Sequence, residues 1–363
     1  MDDRIRRHAE ILVDHCTDIE AGDNVLVRAP AEADDLVVAL YEQLGDRGAR
    51  PVTSWSNSRA GSAYAREMDV EDFETKDHRL AAMEETDVVI MVTGSANSAE
   101  SSDIDPEKSA AAGRARQPIL QERLDKRWVI TQYPTAADAQ KAEMSTAAWT
   151  DFVYEAVNRD WEAQREFQDQ MVAVLDPAEE VRIVSGDGTD LRMSVDGMRA
   201  SNDYAKRNLP GGEAFTSPVP DSVEGEVRFD MPLIRNGREI RDAHLTFEGG
   251  EVVSHSADQN EAVLASVLET DDGARRVGEL GIGMNRGIDE FTYNMLFDEK
   301  MGDTVHIALG NALEECVPDD REFNESAMHV DMLVDMSENS RIEVDGEVVQ
   351  RNGTFRFEEG FKG

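Results

Sequence analysis

The chain has 363 residues, with 37 Lys and Arg against 76 Asp and Glu for a formal charge of −39, and only 7 of the basic residues are lysine. A surface of that sign repels nucleic acid and anionic membrane, because the attraction that drives non-specific binding to phosphate is reversed. It suits a halophilic cytoplasm, where molar salt shortens the Debye length to about 3 Å and screens the self-repulsion; a hydrophobic content of 40% in periodic segments argues against disorder.

The N-terminal stretch MDDRIRRHAEILVDHC carries charges where a signal peptide needs an apolar run. It predicts an amphipathic helix with Ile5, Ala9, Leu12 and Val13 on one stripe. No segment approaches the ~20 apolar residues that span a bilayer. Cys16 and Cys316 are too few for a disulfide framework, which fits a reducing interior and a cytoplasmic location.

Length over ~150 predicts two domains, 1–178 and 179–363. Up to about residue 135, strand patterns at 24–30, 51–56, 87–94 and 127–134 alternate with helical stretches such as 32–46 and 79–85. This predicts an α/β domain with a mostly parallel sheet. No strand is followed by G-x-G-x-x-G or G-x-x-x-x-G-K-[ST], so nothing there is expected to cradle a phosphate. Residues 136–175 read as a helical extension whose stripe of Trp149, Phe152, Val153, Trp161, Phe167 and Met171 belongs to a core or an interface.

From about 180 the period changes to two, with Asp-Gly and Asn-Gly turns, which predicts a largely antiparallel domain and an α/β plus α+β fold overall. The segment SGDGTD lacks calcium-loop spacing and its terminal glutamate, and reads as a hairpin turn.

The chemistry gathers in this second domain. In NLPGGEAFTSP, Glu213 follows two glycines in a rigid loop that another group can approach closely. In DDGARRVGELGIG, Glu279 enters an apolar run, where a carboxylate needs a partner unless the strand lies at the surface. In FDEKMGDTVHIALGNA, His306 shares a strand face with small residues Thr304, Ala308 and Gly310, which leaves room beside the imidazole. Glu299, seven residues upstream, is read as a ligand, a partner of a ligand or solvated surface. In ESAMHVDMLVDM, alternation turns Met328, Val330 and Met332 one way and sets His329 and Asp331 side by side on the other. Two imidazoles and up to four carboxylates within 119 residues exceed what one zinc takes and suit two divalent ions sharing oxygens. The histidines at 8, 15, 78, 244 and 255 lack such company and are expected at the surface or in packing.

On NLPGGEAFTSP, GARRVGE, LFDEK…HIALGNA and NESAMHVDMLV, in that order, the sequence resembles the M29 family of metallo-aminopeptidases, also called the aminopeptidase T or thermophilic aminopeptidase family. The resemblance runs over nearly the whole chain. It implies that Glu213, Glu279, Glu299, His306, His329 and Asp331 belong to a dinuclear centre of Zn, Co or Mn. It further implies exopeptidase action on short peptides with loose side-chain preference, Glu213 as the first candidate for the proton relay, and a homodimer. The family usually has a tyrosine seven residues after the H-I-A-x-G histidine, where this chain has Leu313, which has no hydrogen to donate to a developing oxyanion. Two alternatives remain. One is a ring-cleaving pyridine dioxygenase, similar in fold and using one iron with fewer carboxylates; the other is a metal-binding relative without catalysis.

The charge generates a test of its own. The metal-free protein should melt higher in about 2 M than in about 0.01 M KCl, where the Debye length is about 30 Å and whole faces of carboxylates repel one another. Equal melting temperatures in the two salts would show that surface charge does not tie the protein to salt.

Overall fold

The structure, a computed structural model, describes residues 1–235 and 237–362. It forms two compact units, Met1–Arg159 with Ala205–Gly211, and Asp160–Tyr204 with Gly212–Gly363.

In the first unit the strands Arg50–Ser56, Asn24–Pro30, Val88–Thr93 and Arg127–Gln132 lie side by side in that order, all parallel. Asn208–Leu209 adds a short parallel strand beside the last of them. The sheet buries Val25, Val27 and Ala29 from alternate positions of one strand. Helix Asp34–Arg47 buries Leu36, Val37, Leu40 and Leu44 at helical spacing and stops at Gly48, whose φ of 73° is the left-handed cap that a Cβ would strain. The N-terminal helix Asp3–Glu10 is capped by the Asp2 carboxylate and continues as a π-helical turn over Ile11–Cys16, with Ile5, Ala9, Leu12 and Val13 buried. His8 is a packing residue: its Nε2 lies 2.7 Å from Thr131 Oγ1, and burial pushes its pKa down to about 3. Among the described residues no helix is long and apolar enough to cross a membrane.

Among the described residues the second unit holds two antiparallel sheets. The larger contains the hairpin Glu180–Ser185 and Thr189–Ser194, with the SGDGTD segment as its turn. The smaller has five strands in the order His329–Asp335, Thr304–Gly310, Val277–Gly283, Glu213–Thr216 and Ala200–Asp203. Leu280, Ile282, Val305, Ile307, Val330 and Met332 of the small sheet join Ile183, Leu191 and Phe247 of the large one in one continuous apolar core. Helix Trp161–Leu175 adds Met171 and Leu175 to that core and so lies with the second unit, not with the first as a boundary at 178 would place it. The apolar stripe of a helix reports that a face is buried, not what buries it.

Strand alternation then leaves the opposite face of the small sheet to its polar residues. Gly281 pairs with His306, Ala308 with both Glu279 and Asp331, Gly310 with His329, and Gly283 with Glu213. The register therefore puts Glu213, Glu279, His306, His329 and Asp331 on one face of four adjacent strands.

Candidate metal centre

Glycine and alanine between these five residues leave a hollow for their side chains. A Cβ at Gly281 would lie 2.0 Å from His306 Cε1 and 2.0 Å from its Nε2, so the ring occupies space that only glycine vacates. Gly212, next to Glu213, has φ +127° and a Cβ there would meet the Asn285 Cβ at 2.4 Å. The Glu213 backbone is tied down as well: its carbonyl accepts from Gln168 Nε2 at 2.8 Å, and Gln168, fully buried, also donates to the Asp203 carbonyl at 3.0 Å.

Both imidazoles are oriented by the backbone. His306 Nδ1 sits 3.1 Å from the Glu299 carbonyl oxygen and His329 Nδ1 2.8 Å from that of Asn311. A carbonyl only accepts, so each Nδ1 carries a proton and each Nε2 faces the carboxylates. His306 Nε2 is 3.4 Å from Glu279 Oε1 and 3.4 Å from Glu213 Oε2, while His329 Nε2 is 3.1 Å from Glu279 Oε2 and 3.3 Å from Asp331 Oδ1. Donor atoms of Glu213, Glu279 and His306 lie within 4.8 Å of one another, and so do those of Glu279, His329 and Asp331. Glu279 belongs to both groups, one oxygen turned to each.

The residues fit a divalent ion. Glu213 Oε2 is buried and accepts no hydrogen bond among the described residues, an orphaned acceptor of the kind a cation satisfies. Imidazole and carboxylate donors without thiolate suit zinc, cobalt or manganese. The Cys316 thiol does not compete, since burial pushes its pKa well above the ordinary range.

The charges of the metal-free site are displaced in a consistent direction. Burial works against a charged His306, but Glu213 and Glu279 outweigh it and push it up to about 10. Burial likewise opposes a charged His329, which Asp331 and Glu279 push up to about 11. Burial lifts Glu213 to about 8 against the pull of Lys300 and His306. For Glu279 burial is overcome by the two imidazoles, which hold it well below the usual carboxylate range. At neutral pH a proton on each Nε2 thus stands where an ion would take the lone pair.

Glu299 is a member of neither three-residue group. Its Oε1 is 2.9 Å from Lys300 Nζ, and its backbone carbonyl orients His306. Sequence inspection did not single out Lys300, Asp203, Gln168 or Gly281. A lysine beside F-D-E and a glycine two residues after Glu279 carry no signal until the register places them.

A protein whose antiparallel sheet gathers imidazoles and carboxylates around a shared glutamate is of the divalent-metal class. The comparisons narrow this. The profile of the family described as thermophilic metalloprotease (M29) matches residues 1–356, so the chain belongs to the M29 metallopeptidases, hydrolases of peptide bonds. It is 28% identical over a 414-residue alignment to Aminopeptidase 2 of Geobacillus stearothermophilus, covering 97% of each chain. With Aminopeptidase T of Thermus thermophilus it shares 28% identity over 390 aligned residues and 94% of each chain. The structure of wild-type AmpT from Thermus thermophilus superposes with a TM-score of 0.88 at 25% identity, covering 98% of this chain and 99% of that one. A 2,5-dihydroxypyridine dioxygenase from Pseudomonas putida KT2440 gives a TM-score of 0.61 at 15% identity over 98% and 97% of the two chains, a likeness of fold alone.

Two outcomes follow from the geometry. Gly281→Ala should displace the His306 ring and weaken Mn²⁺ or Zn²⁺ binding by about 10- to 100-fold, the size of a lost orienting contact, as measured by calorimetric titration. The pH dependence has a definite sign. The raised histidines stabilise the metal-free fold below their ordinary value of 6.5, and that contribution is lost as pH rises through about 10 and 11. Glu213, raised from 4.5 to about 8, costs stability over its own interval as pH rises. The metal-free melting temperature should therefore fall from neutral to alkaline pH, while ion affinity rises and each binding event releases protons to the buffer.

Proposed function

We propose that the chain is an aminopeptidase that releases N-terminal residues from short peptides at a centre of two divalent ions. The observation that carries this is the Glu279 carboxylate, whose Oε1 faces His306 and whose Oε2 faces His329, at the junction of two three-residue groups. Glu213 Oε2, Glu279 and His306 Nε2 would hold one ion, and Glu279, His329 Nε2 and Asp331 the other. Divalent ions in such a cradle supply Lewis acidity, which makes water a nucleophile at neutral pH and polarises the scissile carbonyl. The residues of the chain bind, orient and carry protons. The backbone carbonyls of Glu299 and Asn311 keep both Nε2 atoms turned inward. Glu213 is the first candidate for the proton relay, a role its Oε2 can take only when it is not committed to an ion, because its Oε1 accepts from Lys300 Nζ.

The site reads less well as a single-iron dioxygenase, because five ligand-type groups in two sets exceed what one iron needs. The charge of −39 supports a working environment of concentrated salt, and cytoplasmic residence and a homodimer complete the proposal. The test is hydrolysis of amino-acid anilides and short peptides in molar KCl with added Co²⁺, Zn²⁺ or Mn²⁺, together with metal analysis after dialysis. Two ions per chain and release of the N-terminal residue are expected; one iron per chain and no peptide turnover would refute the proposal. His329→Ala and Asp331→Ala should each abolish turnover and leave the fold largely intact.

Leu313 supplies only a backbone N–H, which donates to Ser217 Oγ at 3.2 Å. Leu313→Tyr should therefore raise kcat by up to about 10² to 10³ if its phenol reaches the developing oxyanion, with the number of ions bound unchanged. Steady-state kinetics beside metal analysis separates the two effects.

A further inference from the structure

Among 7 lysines in the chain, Lys300 has a side chain only 1% exposed, and it lies inside the centre. Its Nζ donates to Glu213 Oε1, lies 2.9 Å from Glu299 Oε1 and 3.1 Å from Asp203 Oδ2. An ammonium has three N–H bonds, and here three carboxylates surround it. Three anions hold the ammonium in place, so Lys300 is not a replacement for the missing phenol at Leu313. It is a cation among anions. Without it, Asp203, Glu213 and Glu299 would face one another in a largely buried space with only the His306 imidazole, beside Glu213, as counter-charge, which is strongly destabilising.

We infer that Lys300 is a resident cation of the centre, a positioning residue that holds Glu299 and one oxygen of Glu213 away from any ion. It thereby restricts the ligand set to Glu213 Oε2, Glu279, Asp331 and the two imidazoles. The inference rests on the metal-centre proposal above. Its physical content is a division of labour: the ammonium neutralises the Asp203, Glu213 and Glu299 side of the cluster permanently, and exchangeable ions neutralise the rest. Like charges repel, so the same ammonium also weakens the binding of each ion beside it.

The test compares the full-length protein with Lys300→Met, which keeps the length of the side chain and removes its charge, and with Glu299→Gln, whose amide oxygen still accepts from Nζ. Mn²⁺ is titrated into each by calorimetry, and each is melted metal-free and Mn²⁺-saturated. Metal-free Lys300→Met should melt below metal-free wild type, Mn²⁺ should close the gap, and Mn²⁺ affinity should rise tenfold or more. An affinity no higher than wild type, with the melting deficit unchanged by Mn²⁺, would make Lys300 a mere space-filler and overturn the inference. If Lys300→Met does not fold without ions, Glu299→Gln decides: a loss of Mn²⁺ affinity below tenfold supports a carboxylate held by lysine, and a loss of tenfold or more marks a metal ligand and overturns it. No Mn²⁺ binding to any of the three proteins, wild type included, removes the metal-centre proposal itself, an outcome distinct from binding that Lys300 does not influence.

Discussion

The buried carboxylate of Glu279 is the constraint around which the second unit is arranged. A lone anion there would be costly, and its two oxygens are matched by two imidazoles, His306 on the adjacent strand and His329 on the strand beyond it. That match requires the register in which Gly281 opposes His306 and Ala308 lies between Glu279 and Asp331. It also requires a backbone carbonyl behind each ring and a glycine where the His306 ring lies. The opposite face of the same strands is held by the apolar core, so a one-residue slip would bury the charges and expose the core together. Packing and site specify one another.

Charge is handled in two ways in this molecule. Over the whole chain carboxylates outnumber Lys and Arg by about two to one, and many salt bridges are exposed Arg–Asp and Arg–Glu pairs that salt screens. Inside the centre Glu213, Glu279, His306 and Lys300 are buried while His329 and Asp331 stay partly exposed, and each carboxylate has a specific partner: an imidazole, an ammonium or, once bound, an ion. The scarcity of lysine outside makes the buried Lys300 the more telling. Its neighbours are those of a cation site, occupied by a side chain.

The likeness to a dioxygenase at a TM-score of 0.61 illustrates that the scaffold does not decide the reaction. Two antiparallel sheets sharing one core can support different donor sets on their outer strands. In this chain the polar face carries three carboxylates and two imidazoles in two groups, with Glu279 common to both.

Alternation in HVDMLVD, visible in the sequence, sets His329 and Asp331 on one face, and the hydrophobic periods announce a parallel sheet followed by antiparallel ones, because those signals are local and depend only on strand and helix geometry. The residue types that gather at the centre were legible for the same reason, as polar groups stranded in apolar runs. Long-range pairing was not. Residues 208–209 return to the first unit's sheet, helix Trp161–Leu175 packs with the second unit, and Gly281 clears the space for a histidine 25 residues away. Glu299 and Lys300 are the sharpest case. By itself the sequence determined that a carboxylate and an ammonium stand side by side in F-D-E-K; only the tertiary structure decided that the ammonium turns inward onto Glu213 and Asp203 and draws the Glu299 carboxylate with it, because burial makes a charge's partner a matter of position in space.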